Sequence, residues 1–188
     1  MIVQGKNEID LLLVKGLKEL AVKKPIEKIT IKEITDKAGV IRPTFYNHFQ
    51  DKYELIEWII TNELLEQMRP LIHAGMTKEA MILMLTNMSL DKSFYKRAQK
   101  MEGVITFHEI AMKCVKQMLI EIIKERTEGK TARHSWITPE IIAEYYAQSI
   151  CFVTEKWIEE DMIIPPREMA DAYIYIISRS MEDILKEM

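Results

Sequence analysis

TIKEITDKAGVIRPTFYNHFQDK, residues 30–52, decides the fold. Thr30 followed three residues later by Glu33 makes a capping box, in which the Thr oxygen takes an orphan backbone N–H and the Glu reaches back. Ile31, Ile34 and Ala38 then recur at helical spacing. Gly39 supplies the positive φ that ends this helix and turns the chain sharply. Pro43 falls in the first turn of the next helix, where a missing N–H costs little. Phe45 and Phe49, four apart, face inward together and leave Arg42, Thr44, Tyr46, Asn47 and His48 outside. Two helices joined by a short Gly-containing turn, the second bearing donors and few acids, have the layout of a helix-turn-helix.

The segment closely resembles the DNA-binding module of the TetR family of bacterial transcriptional regulators. Thr30, Ile34, Ala38-Gly39-Val40, Thr44-Phe45-Tyr46, His48-Phe49, Lys52 and Leu55 carry the resemblance. With the helix before it and the one after it, the match covers about the first third of the chain; the rest is similar to the family only in size and helical texture. One departure is Ile41, where the family often has Ser or another capping residue, so the recognition helix is expected to lack a side-chain cap. The resemblance implies phosphate contacts by Thr30, Tyr46, His48 and Lys52, which position a protein on DNA without specifying sequence. By residue type, Lys32 suits a phosphate or a nearby base, Arg42 a bidentate contact with guanine, and Asn47 an adenine or a phosphate. Pro43 and the Thr44 methyl suit a thymine methyl.

The 188 residues suffice for one two-part chain with a sizeable core. A net charge of −3 argues at first against a nucleic-acid partner, but its distribution is uneven. Residues 1–52 hold ten Lys/Arg against seven Asp/Glu, a net of +3; the remainder holds sixteen against twenty-two, a net of −6. A mildly basic head on an acidic body suits docking of one end on phosphate. MIVQGKNEID lacks a basic stretch followed by an apolar run, and no apolar stretch approaches membrane-spanning length. A cytoplasmic protein with no membrane partner is therefore expected, and a disulfide between Cys114 and Cys151 is not.

Around the central stretch the pattern is all-α, with about nine helices. Ile9, Leu13, Leu17 and Leu20 predict a first helix over 7–23, stopped by Pro25. Asp51 is a natural N-cap for a linking helix over 52–68. Pro70 and Gly75 mark the boundary between a helix-turn-helix head, 1–52 with its linking helix, and a body, 69–188, for ligand binding and dimerisation. Body helices are predicted over 77–88, 91–100, 104–128, 138–161 and 166–187, with Asp91 and Thr138 as N-caps and breaks at Gly103 and Glu128-Gly129-Lys130-Thr131.

The last two helices carry more apolar surface than one helix face needs, so part of it is assigned to a second subunit: Tyr146, Ile150, Val153, Trp157, Tyr173, Ile177 and Met181. The resemblance implies a four-helix bundle of these helices in a homodimer. A dimer also places two recognition helices one DNA turn apart, about 34–36 Å, on a palindromic operator. A small-molecule effector is likewise implied, and Met84, Met88, Phe94, Tyr95, Phe107, His108 and Met112 are the candidate pocket wall. No cofactor, metal set or catalytic residue is expected: His108 and Cys114 are six apart, and no G-x-S-x-G, glycine-rich phosphate loop or CxxC occurs. Glu159-Glu160-Asp161 is expected to be solvated. The function expected is a ligand-responsive repressor; a co-activator of the same fold working through a protein partner is the alternative.

Overall fold

Helix α1 (Ile2–Ala21) puts Leu13, Val14, Leu17 and Ala21 on one stripe, and all four are buried. The computed structural model describes residues 2–127 and 134–187, with side chains from Glu8 onward; Glu128-Gly129-Lys130-Thr131, expected as a break, lies outside them. A short 3-10 turn at Ile26–Lys28 follows, then α2 (Ile31–Ala38) and α3 (Arg42–Tyr46). The capping box is present in full: the Glu33 N–H donates to Thr30 Oγ1 at 3.3 Å, and the Thr30 N–H donates to Glu33 Oε2 at 3.0 Å. Gly39 is left-handed at φ 70° and ends α2, with the Val40 N–H closing back on the Thr35 carbonyl at 3.0 Å. As the sequence implied, Ile41 precedes α3 with no side-chain cap. A second glycine sets how closely the head packs. Gly16 of α1 is buried against α2, and a Cβ there would stand 3.1 Å from the Ile34 carbonyl oxygen.

Asp51 caps α4 (Lys52–Ile59) through the N–H groups of Tyr53 and Glu54. The linking helix does not stop near residue 68. It passes through a π-helical turn (Ile60–Leu65) into α5 (Glu66–His73), and Pro70 lies inside α5. The break falls at Gly75, φ 77°, so the proline marks no boundary. A π turn widens the backbone and frees carbonyls. Here Asn87 Nδ2 donates to the Glu63 carbonyl at 3.1 Å, and Gln67 Nε2 to that of Asn62 at 3.3 Å.

The body consists of α6 (Thr77–Leu90), α7 (Lys92–Ala98), α8 (Phe107–Thr127), α9 (Pro139–Glu159), α10 (Pro166–Ile177) and α11 (Met181–Glu187). The last expected helix is thus two, parted at Ser178. Helix α8 pairs with α9, α10 and α5 pack on α6, and α1 leans on α7. No strand occurs among the described residues, and the all-α reading holds. One apolar cluster runs without interruption from Leu13 and Phe45 in the head through Ile56 to Met84, Met118 and Trp157. Thr138 caps α9 as expected, by accepting from the Ile141 N–H at 3.3 Å. Asp91 does not cap α7: its carboxylate is drawn 2.5 Å from Lys18 Nζ instead. Asp161 is not simply solvated. Lys92 and Lys96 bind it, holding its carboxyl at about 2, and it adopts a left-handed φ of 60° where α9 ends.

Candidate nucleic-acid interface

Helix α3 has one inward and one outward side. Phe45 and Phe49 are buried, with ring centroids 5.9 Å apart. Arg42, Pro43, Tyr46 and Asn47 are exposed, and Thr44 is half-buried. Arg42 lies over the Tyr46 ring, 5.6 Å from its centroid, and donates from Nη2 to the Tyr46 hydroxyl at 3.1 Å. The stack limits the guanidinium to one region of the outer face, which lowers the entropy lost when it meets an acceptor. Lys32, on the neighbouring helix, is exposed beside Asp36 at 2.8 Å, and that contact raises its pKa. Ile41, 69% exposed at the start of α3, adds an apolar group to the same face; the missing cap was its only sequence signal.

Three of the four residues assigned to phosphate by resemblance have donors turned inward. The Thr30 hydroxyl donates to Glu33 Oε2 at 2.9 Å, and its backbone N–H goes to the same carboxylate. Lys24 and Thr30 together hold the Glu33 carboxyl near 2. Lys52 Nζ donates to the carbonyls of Ile26, Glu27 and Ile29 at 2.9, 2.7 and 2.9 Å, using all three of its protons. Burial pulls its pKa down. Lys52 therefore ties the 3-10 turn to α4 and has no donor left for a phosphate. His48 Nδ1 stands 2.6 Å from Asp10 Oδ1, both side chains about nine-tenths covered, so only Nε2 remains available. Asp10 was missed from the sequence although it shares a helical stripe with Leu13 and Leu17. An acid on a buried stripe calls for a partner. Tyr46 alone of the four keeps an exposed hydroxyl-bearing ring, 49% open.

The body corrects the other assignments. Met84, Met88, Phe94, Tyr95 and Phe107 are buried in the core. Of the seven pocket candidates, only His108 and Met112 border a surface cleft, of about 510 Å³, shared with Phe152. His108 is paired there with Glu155 at 2.6 Å. Trp157 and Tyr173, assigned to a subunit contact, belong to the protomer's own core: Trp157 is 1% exposed and donates from Nε1 to the Ile164 carbonyl at 2.8 Å. Ile150, Val153 and Ile177 are half-buried, whereas Tyr146 and Met181 are exposed. The residues that α9–α11 do present outward include Tyr145, Phe152, Ile176 and Leu185, which a count of apolar residues does not pick out. Cys114 and Cys151 are free and buried, and burial pushes the Cys151 thiol up to about 12. Among the described residues no three His, Cys, Asp or Glu side chains gather as a metal set, and no helix is long and apolar enough to cross a membrane.

Residues 13–59 match the profile of "Bacterial regulatory proteins, tetR family", and residues 76–179 match "Transcriptional regulator C-terminal region" of the same family. The chain belongs to the TetR family. The second match spans more than half of the chain, the part in which the sequence resemblance was only one of texture. The dhaKLM operon transcriptional activator DhaS of Lactococcus lactis is 23% identical over 147 residues, 78% of each chain. A solved structure of the dihydroxyacetone kinase operon activator DhaS superposes with a TM-score of 0.62 at 20% identity, covering 89% of this chain and 93% of that one. NalD of Pseudomonas aeruginosa, the secondary repressor of the MexAB-OprM efflux pump, gives 0.62 at 18% identity, covering 92% and 96%. The Thermus thermophilus repressor FadR, solved with lauroyl-CoA, gives 0.62 at 16%, covering 92% and 94%. At these identities the structural likenesses establish the fold. Together the two profiles make the chain a TetR-family transcriptional regulator.

Proposed function

We propose that this TetR-family regulator acts as a homodimer that reads a palindromic operator with the outer face of α3. The observation that carries this reading is the exposed, pre-stacked Arg42–Tyr46 pair beside Pro43 and Asn47. A guanidinium held over a ring, with both groups exposed, suits a bidentate contact to a guanine edge and a phosphate contact close by. Lys32 adds a second cation to that face. The exposed Tyr145, Phe152, Ile176 and Leu185 support dimerisation through α9–α11, because so many large apolar groups on one end of a protomer are covered at small cost by a second copy. An effector bound in the body then acts by population shift, favouring a spacing of the two heads that no longer fits the operator.

The test is fluorescence anisotropy on the DNA just upstream of the protein's own gene, at low and near-physiological salt, with a scrambled duplex and Arg42→Ala as controls. Binding that falls steeply with salt and is lost in both controls is expected. Binding equal to that of scrambled DNA would overturn a stand-alone reader. Light scattering of Ile176→Asp checks the dimer: a protomer mass is expected, and an unchanged dimer mass would remove α10 from the interface. The regulator functions as a repressor in this reading, as NalD and FadR do. The relationship to DhaS, an activator, supports a second reading in which a protein partner replaces the small effector, and added partner then restores weak DNA binding.

A further inference from the structure

Where α1 meets the body, Lys18 Nζ lies 2.5 Å from Glu63 Oε2 and 2.5 Å from Asp91 Oδ2. Glu63 belongs to the π turn of the linking helix, and Asp91 lies between α6 and α7. One ammonium, its side chain 15% exposed, therefore joins three elements of the chain. Beside it opens a cleft of about 450 Å³, with Trp58, Leu11 and Leu90 as apolar walls and Asn62, Gln67 and Asn87 on its polar side. Its two ionisable lining residues, Glu63 and Asp91, are both acids. Next to these groups is an independent anomaly. The Tyr95 hydroxyl is buried with no hydrogen-bond partner among the described residues, and the Tyr95 ring packs edge-on against Phe94, over which Lys18 Nζ lies at 5.7 Å. Burial first, then the charges of Glu63 and Asp91, raise the phenol's pKa, which places that hydroxyl near the two carboxylates. A buried hydroxyl without a partner is costly to leave unpaired, and such sites are where a missing ligand group belongs.

We propose that this junction cleft is a binding site for a primary organic ammonium ion with an apolar body, which displaces Lys18 from Glu63 and Asp91. The two carboxylates already converge on an ammonium, so the polar half of the site is preorganised. An ammonium has three donors, and Lys18 satisfies only two of them on these acids; the Tyr95 oxygen supplies a third acceptor for a ligand that enters further. Trp58 and the two leucines cover the ligand's apolar part, and the Trp58 ring adds an attractive face for a cation. Displacing Lys18 releases α1 from both the linking helix and α7. The ligand thereby acts on the orientation of the head, and this consequence rests on the DNA-binding reading above.

Isothermal titration of the full chain with benzylammonium chloride tests the site, with benzyl alcohol and ionic-strength-matched sodium chloride as controls. No DNA is present, so this result and that of the operator assay stand apart. Saturable binding of benzylammonium, with none of benzyl alcohol, is expected. Lys18→Met removes the internal competitor and is expected to tighten binding about tenfold, whereas Glu63→Gln/Asp91→Asn weakens it about tenfold or more. Lys18→Gln repeats the first arm if the methionine variant does not fold. No saturable heat, equal binding of the alcohol, or an affinity unmoved by Lys18 substitution would each overturn the proposal.

Discussion

The outer face of α3 and the underside of the same head are built from the same kinds of residue and use them in opposite ways. Outside, Arg42, Tyr46 and Asn47 keep their polar ends in solvent. Beneath, Thr30, His48 and Lys52 spend theirs on Glu33, Asp10 and the carbonyls of residues 26–29. The outer set is free to form contacts in a complex; the inner set holds the shape that presents it. Residue type and place in a motif do not separate the two sets, because a lysine or histidine can serve either. The partner within reach decides.

Substitutions that should affect only one side probe this contrast. Lys52→Met removes the donor from three carbonyls at the turn before α2 and should cost about 2–4 kcal/mol of stability in urea unfolding, since hydrogen bonds to a charged group are worth more than neutral ones. A loss below 0.5 kcal/mol, roughly the scatter of ordinary surface changes, would return Lys52 to the outer set. Gly16→Val drives a branched side chain into the Ile34 carbonyl and should cost about 2 kcal/mol, with a corresponding drop in melting temperature. Arg42→Ala reverses the pattern. Its stability should stay within about 0.5 kcal/mol of the parent, while operator affinity falls about 10–100-fold in the anisotropy assay.

The smallest effect is one of pH. The folded Glu33 carboxyl, near 2, lies below its ordinary value of 4.5, so its contribution is present above about 4.5 and is lost as pH falls toward about 2. Glu33→Gln should therefore flatten the acid limb of the stability curve in that window and leave its slope above pH 6 unchanged. An acid limb identical to the parent's would show that the capping box adds nothing measurable.

The local elements of the head were legible from residues alone because their causes are short in range. The box from Thr30 to Glu33, the turn at Gly39, the cap at Asp51 and the inward Phe45–Phe49 pair each depend on residues within four positions. The linking helix was harder. Pro70 reads as a break, yet it is carried inside a helix whose π turn already rearranges the hydrogen bonds and whose freed carbonyls are met by side chains such as Asn87, 24 residues away. In the body, hydrophobic spacing predicted helices but not which apolar groups face a neighbour. Trp157 and Tyr173 went inside, and Phe152 and Ile176 outside, according to how α9 lies on α8 and α10 on α6.

By itself, the sequence determined the helical class, the helix-turn-helix and the family, since periodicity, caps and motif spacing are local or nearly so. Only the tertiary structure decided which polar groups face outward. Asp10 with His48, Lys52 with the 26–29 turn, and Lys18 with Glu63 and Asp91 pair across 23 to 73 positions of chain. Such pairs form only because packing of the apolar stripes brings those groups together, and a buried charge or donor then takes whichever partner that packing provides.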